Sequence, residues 1–309
     1  MTVDRNPEQL YDLDSGVPVP EELVLLYHFD GFVDAGSAGE VVTDHLLSEF
    51  DGPVVARFDV DRLLDYRSRR PTMTFAADHW AGYEEPELVV RLLRDADGVP
   101  FLLFTGPEPD REWETFVSAV RGLVQRWRVR LLVNVHGIPM SVPHTRPLGI
   151  TAHATRPELV RSYRTVFNQV QVPGSAAALM QYRLGQAGHD VIGLTAHVPH
   201  YLAQSRYPAA ALRLFDAVTE ATGLRVPLAR LREAAHATNL EIDRQVRDNI
   251  EAADVVQALE QQYDAFTAAS PENNLLADTD EMPTGDELAE YFQRFLAEQQ
   301  QGRSEPGES

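Results

Sequence analysis

The 309 residues include no cysteine and no lysine, and each absence removes chemistry. Without cysteine there is no thiol nucleophile, disulfide, thiolate zinc site or iron–sulfur cluster. Without lysine there is no Schiff base and no phosphate-loop lysine. Arginine as every basic residue is the composition that a GC-rich coding sequence would favour. Long apolar runs are missing as well: no window of about 18 apolar residues occurs, so no membrane-spanning helix is expected. The first twenty residues carry Asp4, Glu8, Asp12 and Asp14 with no apolar stretch, so a secretory signal is not expected and a cytoplasmic protein is. Positive charge is scarce. The 27 arginines face 47 acidic side chains, leaving a formal net charge of −20. A field of that sign repels nucleic-acid phosphates and anionic membranes, so neither is expected as a partner.

Hydrophobic residues make up 44% of the chain and charged residues 24%, the balance of a globular protein with a substantial core. Disorder-like composition is confined to the first twenty or so residues and the tail. Apolar runs at 23–29, 101–104, 130–135 and 191–198 have the continuous character of strands buried on both faces, with shorter strands expected at 54–58, 72–75, 88–93 and 149–153. Asp95-Ala96-Asp97-Gly98 is a hairpin-type turn. Helical spacing is present at 36–50, at 113–127 behind Asp110 as a cap, and at 174–185. Thr155-Arg156-Pro157-Glu158 has capping-box spacing for a short helix.

Residues 209–266 read as almost wholly helical: one helix to about Thr222, a second after Pro227, and a third opened by a capping box at Thr238-Asn239-Leu240-Glu241. The third carries Ile242, Val246, Ile250, Ala253, Val256, Leu259, Tyr263 and Phe266 on one stripe. A last helix is expected behind Thr284, with Leu288, Tyr291, Phe292 and Phe295 on one face. Strands alternating with helices imply an α/β fold with a mostly parallel sheet covered on both sides. The expected division is an α/β/α core over 1–208 with a β-hairpin insertion near 70–100, a helical extension or lid over 209–298, and a disordered tail over 299–309.

Ligands in open α/β sheets bind outside the carboxyl ends of the strands, so the strand exits are the segments to inspect. After the first strand come Asp30, Gly31 and Asp34: either carboxylate could hold a substrate hydroxyl or act as a base, and Asp34 could instead cap the following helix. In Gly106-Pro107-Glu108-Pro109-Asp110, Glu108 could face a pocket, but it reads first as a solvated loop carboxylate. His136 and Gly137, followed by His144, Thr145 and Arg146, could bind an anion or support acid–base chemistry, or knit a proline-stiffened loop to the core. His197 and His200 lie three apart, but Pro199 opposes the helical turn that would aim both at a zinc ion, so no metal site is expected. Glycines at 31, 36 and 39 do not spell a dinucleotide fingerprint, and Gly36-Ser37-Ala38-Gly39 is not a nucleophile elbow. No cofactor is expected.

Taken in order, Asp30-Gly31-Phe32-Val33-Asp34-Ala35-Gly36, Gly106-Pro107-Glu108-Pro109-Asp110 with Trp113, Pro143-His144-Thr145-Arg146-Pro147 and Val198-Pro199-His200-Tyr201 resemble the proteasome assembly chaperone type two family, in its bacterial, actinobacterial-type branch. The resemblance covers residues 20–215, and the later helices resemble that branch's C-terminal extension. It implies a phosphorylase/hydrolase-like three-layer α/β/α core and homo-oligomers, with trimers among the forms. A role in assembly for the turn at 95–99 is also implied. Family members that dock on proteasome rings use a C-terminal hydrophobic-tyrosine tail. This chain ends Pro306-Gly307-Glu308-Ser309, so docking of that kind is not expected. The resulting expectation is a protein-interaction or assembly factor without catalysis. The alternative is a small-ligand binder or hydrolase/phosphorylase-like enzyme using Asp30, Gly31, Asp34, His136, Gly137, His144, Thr145, Arg146 and His200.

Overall fold

The computed structural model describes residues 6–163 and 169–268. The chain forms, in order, Tyr11–Leu13 (β1), Val24–Asp30 (β2), Ala38–Glu49 (α1), Val54–Phe58 (β3), Val60–Leu63 (α2), Met73–Ala76 (β4), His79–Tyr83 (β5), Val89–Arg94 (β6) and Pro100–Pro107 (β7). There follow Trp113–Arg126 (α3), Leu131–Met140 (β8), Ile150–Ala154 (β9), Ala176–Gln186 (α4), Val191–Pro199 (β10), Pro208–Thr222 (α5), Ala229–Asp248 (α6) and Ile250–Ala268 (α7).

Eight strands make one sheet in the order β1-β3-β6-β7-β2-β8-β10-β9, while β4 and β5 pair only with each other. The four central strands β7, β2, β8 and β10 are mutually parallel. The flanking β6, β3, β1 and β9 join through antiparallel pairings. Alternation along a strand separates two cores. In β2, Val24 and Leu26 face one layer, with α1 and α5; Leu25, Tyr27 and Phe29 face the other, with α3 and α4. Central strands therefore need apolar side chains at every position, which is why they read as unbroken runs. The result is the α/β/α sandwich expected from the sequence.

Several local expectations are corrected. β8 does not stop at His136-Gly137 but runs on through Pro139, paired with β10 as far as Met140. Its pairing with β2 ends at Asn134, so Pro139 lies where no N–H is needed on that side. The first twenty residues contribute a buried Leu10 and the edge strand β1. Strand β5 has no clear alternation in the sequence, because His79, Ala81 and Gly82 mask it. Asp110 does not cap α3, which follows Glu112 in the left-handed region; its carboxylate accepts the Asp65 N–H instead. Thr155 does not open a capping box: its hydroxyl bonds the His189 carbonyl and the Val191 N–H, tying β9 to β10. Nor does Thr238 start a helix. α6 runs through it, and the break falls at Asn249, whose side-chain oxygen accepts the N–H groups of Glu251 and Ala252. On the proposed stripe Ile242, Val256 and Leu259 are buried, but Ile250 and Phe266 are exposed. The helix expected behind Thr284 and the 299–309 tail lie outside the described residues.

Candidate functional site

Adjacent strands β2 and β8 send the chain in opposite directions, β2 through α1 towards β3 and β8 towards β9 and β10. The seam between them is the topological switch point at which open α/β sheets bind ligands. Their pairing stops at Tyr27↔Asn134, and beyond it the strands part. Asp34 fills the gap. Its Oδ1 accepts the N–H of Gly39 at 2.9 Å and of Gly137 at 2.8 Å, and Oδ2 accepts Glu40 at 3.1 Å. One carboxylate thus caps α1 and pins β8 at Gly137, just past the end of its pairing with β2, favoured by the helix dipole. Gly36, at φ 69°, and Ser37, at φ 47°, make the tight turn that brings Asp34 back over the helix.

Below Asp34 lies His28, set within the apolar run of β2 with no motif around it. Its Nδ1 is 3.0 Å from the Val135 carbonyl, and its Nε2 is 3.4 Å from Asp30 and 3.6 Å from Asp34. Both ring nitrogens face acceptors only, so the doubly protonated imidazolium is the form that fits. Burial works to lower its pKa, but the carboxylates of Asp30 and Asp34, with the Val135 carbonyl, outweigh burial and hold it above its ordinary value. Gly39 makes room for the ring: a Cβ there would lie 2.3 Å from His28 Nδ1.

The flank of this crevice is closed by Arg69, which donates to the Asp30 carbonyl at 2.9 Å and pairs with Asp110 at 3.2 Å. Gly31 adopts φ 120°, a conformation that L side chains rarely take, and the Arg69 guanidinium occupies the space beside it. Glu108 is not solvated. It is buried and accepts the Ala176 N–H at 2.6 Å, capping α4 from 68 residues upstream; burial raises its pKa. Nothing local announces that role.

The remaining sequence-selected residues do not join the crevice. His136 projects from the opposite sheet face, 3.2 Å from Asn134 Oδ1 and 3.3 Å from Thr195 Oγ1. Near it on β9 and β10 are His153, with Gly193 beneath its ring, and His197, 2.7 Å from Thr151 Oγ1. Burial pushes His136 down to about 3 and His197 to about 4, and lowers His153 and His200 as well. The charge of His28 contributes to the His136 shift.

His144, Thr145 and Arg146 form a second cluster that clasps the C-terminal helices. His144 lies 2.7 Å from the Tyr201 hydroxyl and 3.2 Å from Asp243 of α6. Thr145 donates to Glu260, Arg146 grips Asp264 through two bonds of 2.8 and 2.7 Å, and Tyr263 donates to the Pro147 carbonyl. Glu260, Tyr263 and Asp264 share one face of α7 by their spacing. His200 stacks edge-on against Tyr201 and hydrogen-bonds the Met140 backbone. Among the described residues no three His, Asp or Glu side chains gather in a metal-holding arrangement, and no helix is long and apolar enough to cross a membrane.

Two measurements follow from these contacts. The Arg146 pairs are solvent-screened and add little to global stability, so Arg146→Ala should leave the melting temperature nearly unchanged while amide exchange in α7 accelerates. Unchanged α7 protection, or loss of the whole fold, would contradict the clasp. In acid, the depressed histidines act against His28. A raised pKa such as that of His28 stabilises fully below the unfolded value of 6.5, and the benefit is lost as pH rises through its folded value. Groups held at about 3 and about 4 stabilise above 6.5 and lose that contribution as pH falls. With five histidines lowered, His189 among them, against one raised, the urea midpoint should fall steadily between pH 6.5 and 4; a flat profile there would refute the assignment of neutral His136 and His197.

The PAC2 family model matches residues 28–246. A Mycobacterium tuberculosis protein of unknown function is similar at 47% identity over 84% of this chain and 90% of its own, with a TM-score of 0.80. A Corynebacterium glutamicum protein of unknown function shares 35% identity over 85% of this chain and 100% of its own, with a TM-score of 0.81. A Mycobacterium tuberculosis proteasome-assembly chaperone homologue shares 25% identity over 76% of this chain and 100% of its own, with a TM-score of 0.69. No curated protein matches.

Proposed function

The chain belongs to the PAC2 family, and from that premise we propose that it is a protein-interaction or assembly factor with no catalysis of its own. The observation that carries the reading is Asp34. In the switch-point crevice, where related architectures receive a ligand, the chain's own carboxylate satisfies the N–H groups of Gly39, Glu40 and Gly137. Glu108 and Arg146 are likewise committed to Ala176 and Asp264. Similarity to a proteasome-assembly chaperone homologue supports a protein partner, and self-association, as a trimer or otherwise, belongs to the same reading. The test is affinity isolation of the full chain from native lysate with quantified stoichiometry, beside sedimentation of the purified protein. A reproducible stoichiometric partner or a defined oligomer is the expected result. A monomer that recovers neither a 20S subunit nor any other stoichiometric partner would overturn it.

A small-ligand reading is favoured by one observation, the polar face formed by His136, His153, His197, Thr151 and Thr195. Its neutral imidazoles and hydroxyls suit an uncharged polar molecule better than an anion. A thermal-shift screen of metabolites tests it; a hit whose stabilisation survives substitution of His136 and Thr195 would rule out this face as its site.

A further inference from the structure

Residues 73–83 stand apart from the main sheet. Strands β4 and β5 hydrogen-bond only to each other, and an isolated two-stranded hairpin is marginal in water. Its large side chains are nevertheless apolar and turned outward: Met73, Phe75, Trp80 and Tyr83 are 47%, 56%, 63% and 51% exposed. Phe75 and Trp80 meet edge to face at 5.1 Å. A contiguous exposed patch of this kind marks a surface that is covered in use.

Its surroundings decide what covers it. Glu84 and Glu85 leave the hairpin directly. Glu85 and Glu87 then help line a depression of about 290 Å³ together with Asp12, Asp59, Asp61 and Arg57, five carboxylates against one guanidinium. Arg57 is already paired with Glu87. Tyr66 joins the two regions, since its hydroxyl donates to Asp61 at 2.6 Å and it also interacts with Tyr83. Rings flanked by carboxylates suit guanidinium or ammonium groups, which are attracted by ring faces and by charge alike. A second copy of this chain would bring its own excess of negative charge to an acidic face, on a molecule of net charge −20.

We infer that the β4–β5 hairpin and the adjoining acidic depression dock a partner protein segment rich in arginine or lysine. The inference rests on the interaction-factor reading and names the chemistry of its partner. The open edges of the hairpin would let an extended segment add as a strand while its cations reach the rings and carboxylates.

The test uses the full chain and two fluorescein-labelled twelve-residue peptides, one alternating arginine with valine, the other glutamate with valine. The arginine peptide should bind about tenfold or more tightly than its counterpart, and should weaken about tenfold between 50 and 300 mM NaCl. Phe75→Ala with Trp80→Ala should cost about tenfold at an unchanged melting temperature. Glu84→Arg with Glu85→Arg, which keeps the rings, should lower the preference for arginine by a similar factor. Equal binding of the two peptides, no binding, or binding indifferent to both double substitutions would overturn the inference. If instead the ring substitutions dissociate a wild-type oligomer in sedimentation while the arginine peptide fails to bind, the hairpin's occupant is another copy. The cationic partner then falls and the interaction-factor reading stands.

Discussion

Gly137→Ala should destabilise the protein by about 3 kcal/mol or more, lowering the melting temperature by roughly 6–12 °C. A Cβ at this position would lie 2.1 Å from the Ala35 carbonyl oxygen and 3.1 Å from Ala38 Cβ. The nearest obstacle is backbone, so no side chain can swing aside. Either β8 retreats, breaking the 2.8 Å bond from the Gly137 N–H to Asp34, or the turn before α1 shifts and takes the cap with it. Gly174→Ala is the matched control, because nothing lies within 4 Å of a Cβ there; it should change stability by about 0.5 kcal/mol or less. Equal chemical-denaturation midpoints for the two variants would show that the approach of β8 to the turn is looser than described.

Asp34→Ala should cost a comparable amount, about 3 kcal/mol or more, for an electrostatic reason. The substitution leaves the N–H groups of Gly39, Glu40 and Gly137 without their acceptor and leaves the His28 imidazolium beside Asp30 alone. Asp34→Asn retains one acceptor oxygen and removes the charge, so its cost should fall between wild type and alanine. In both variants His28 should titrate lower than in the wild type, which its imidazole resonances would report. Retention of full stability by Asp34→Ala would refute the pinning role and reopen the crevice to a ligand reading.

The fold was largely legible because its central strands are apolar on both faces and its helices are bounded by turn residues. Leu23–Phe29 or Val191–Val198 admits few other readings. What escaped was non-local. Glu108 has the sequence context of an exposed loop, and its burial depends on the start of α4 arriving 68 residues later. His28 sits within an apolar run, and only the parting of β2 from β8 brings Asp30 and Asp34 to its ring. Arg146 was expected either to bind an anion or to knit its loop to the core. The anion it holds is Asp264, supplied by a helix more than a hundred residues downstream. The strand-exit residues accordingly fall into separate groups, with His136 on the far face, because alternation along β8 sends neighbouring side chains to opposite layers.

The arrangement of the central strands bears on how the chain is made. β2 is hydrogen-bonded on one side to β7 and on the other to β8, segments that begin about seventy and a hundred residues later. During synthesis this seven-residue run leaves the ribosome with both edges bare. It stays so until Pro107 has emerged, which at roughly 5–20 residues per second is longer than most helices take to form. A nascent chain halted before that point carries an unpaired apolar ribbon, the kind that templates aggregation.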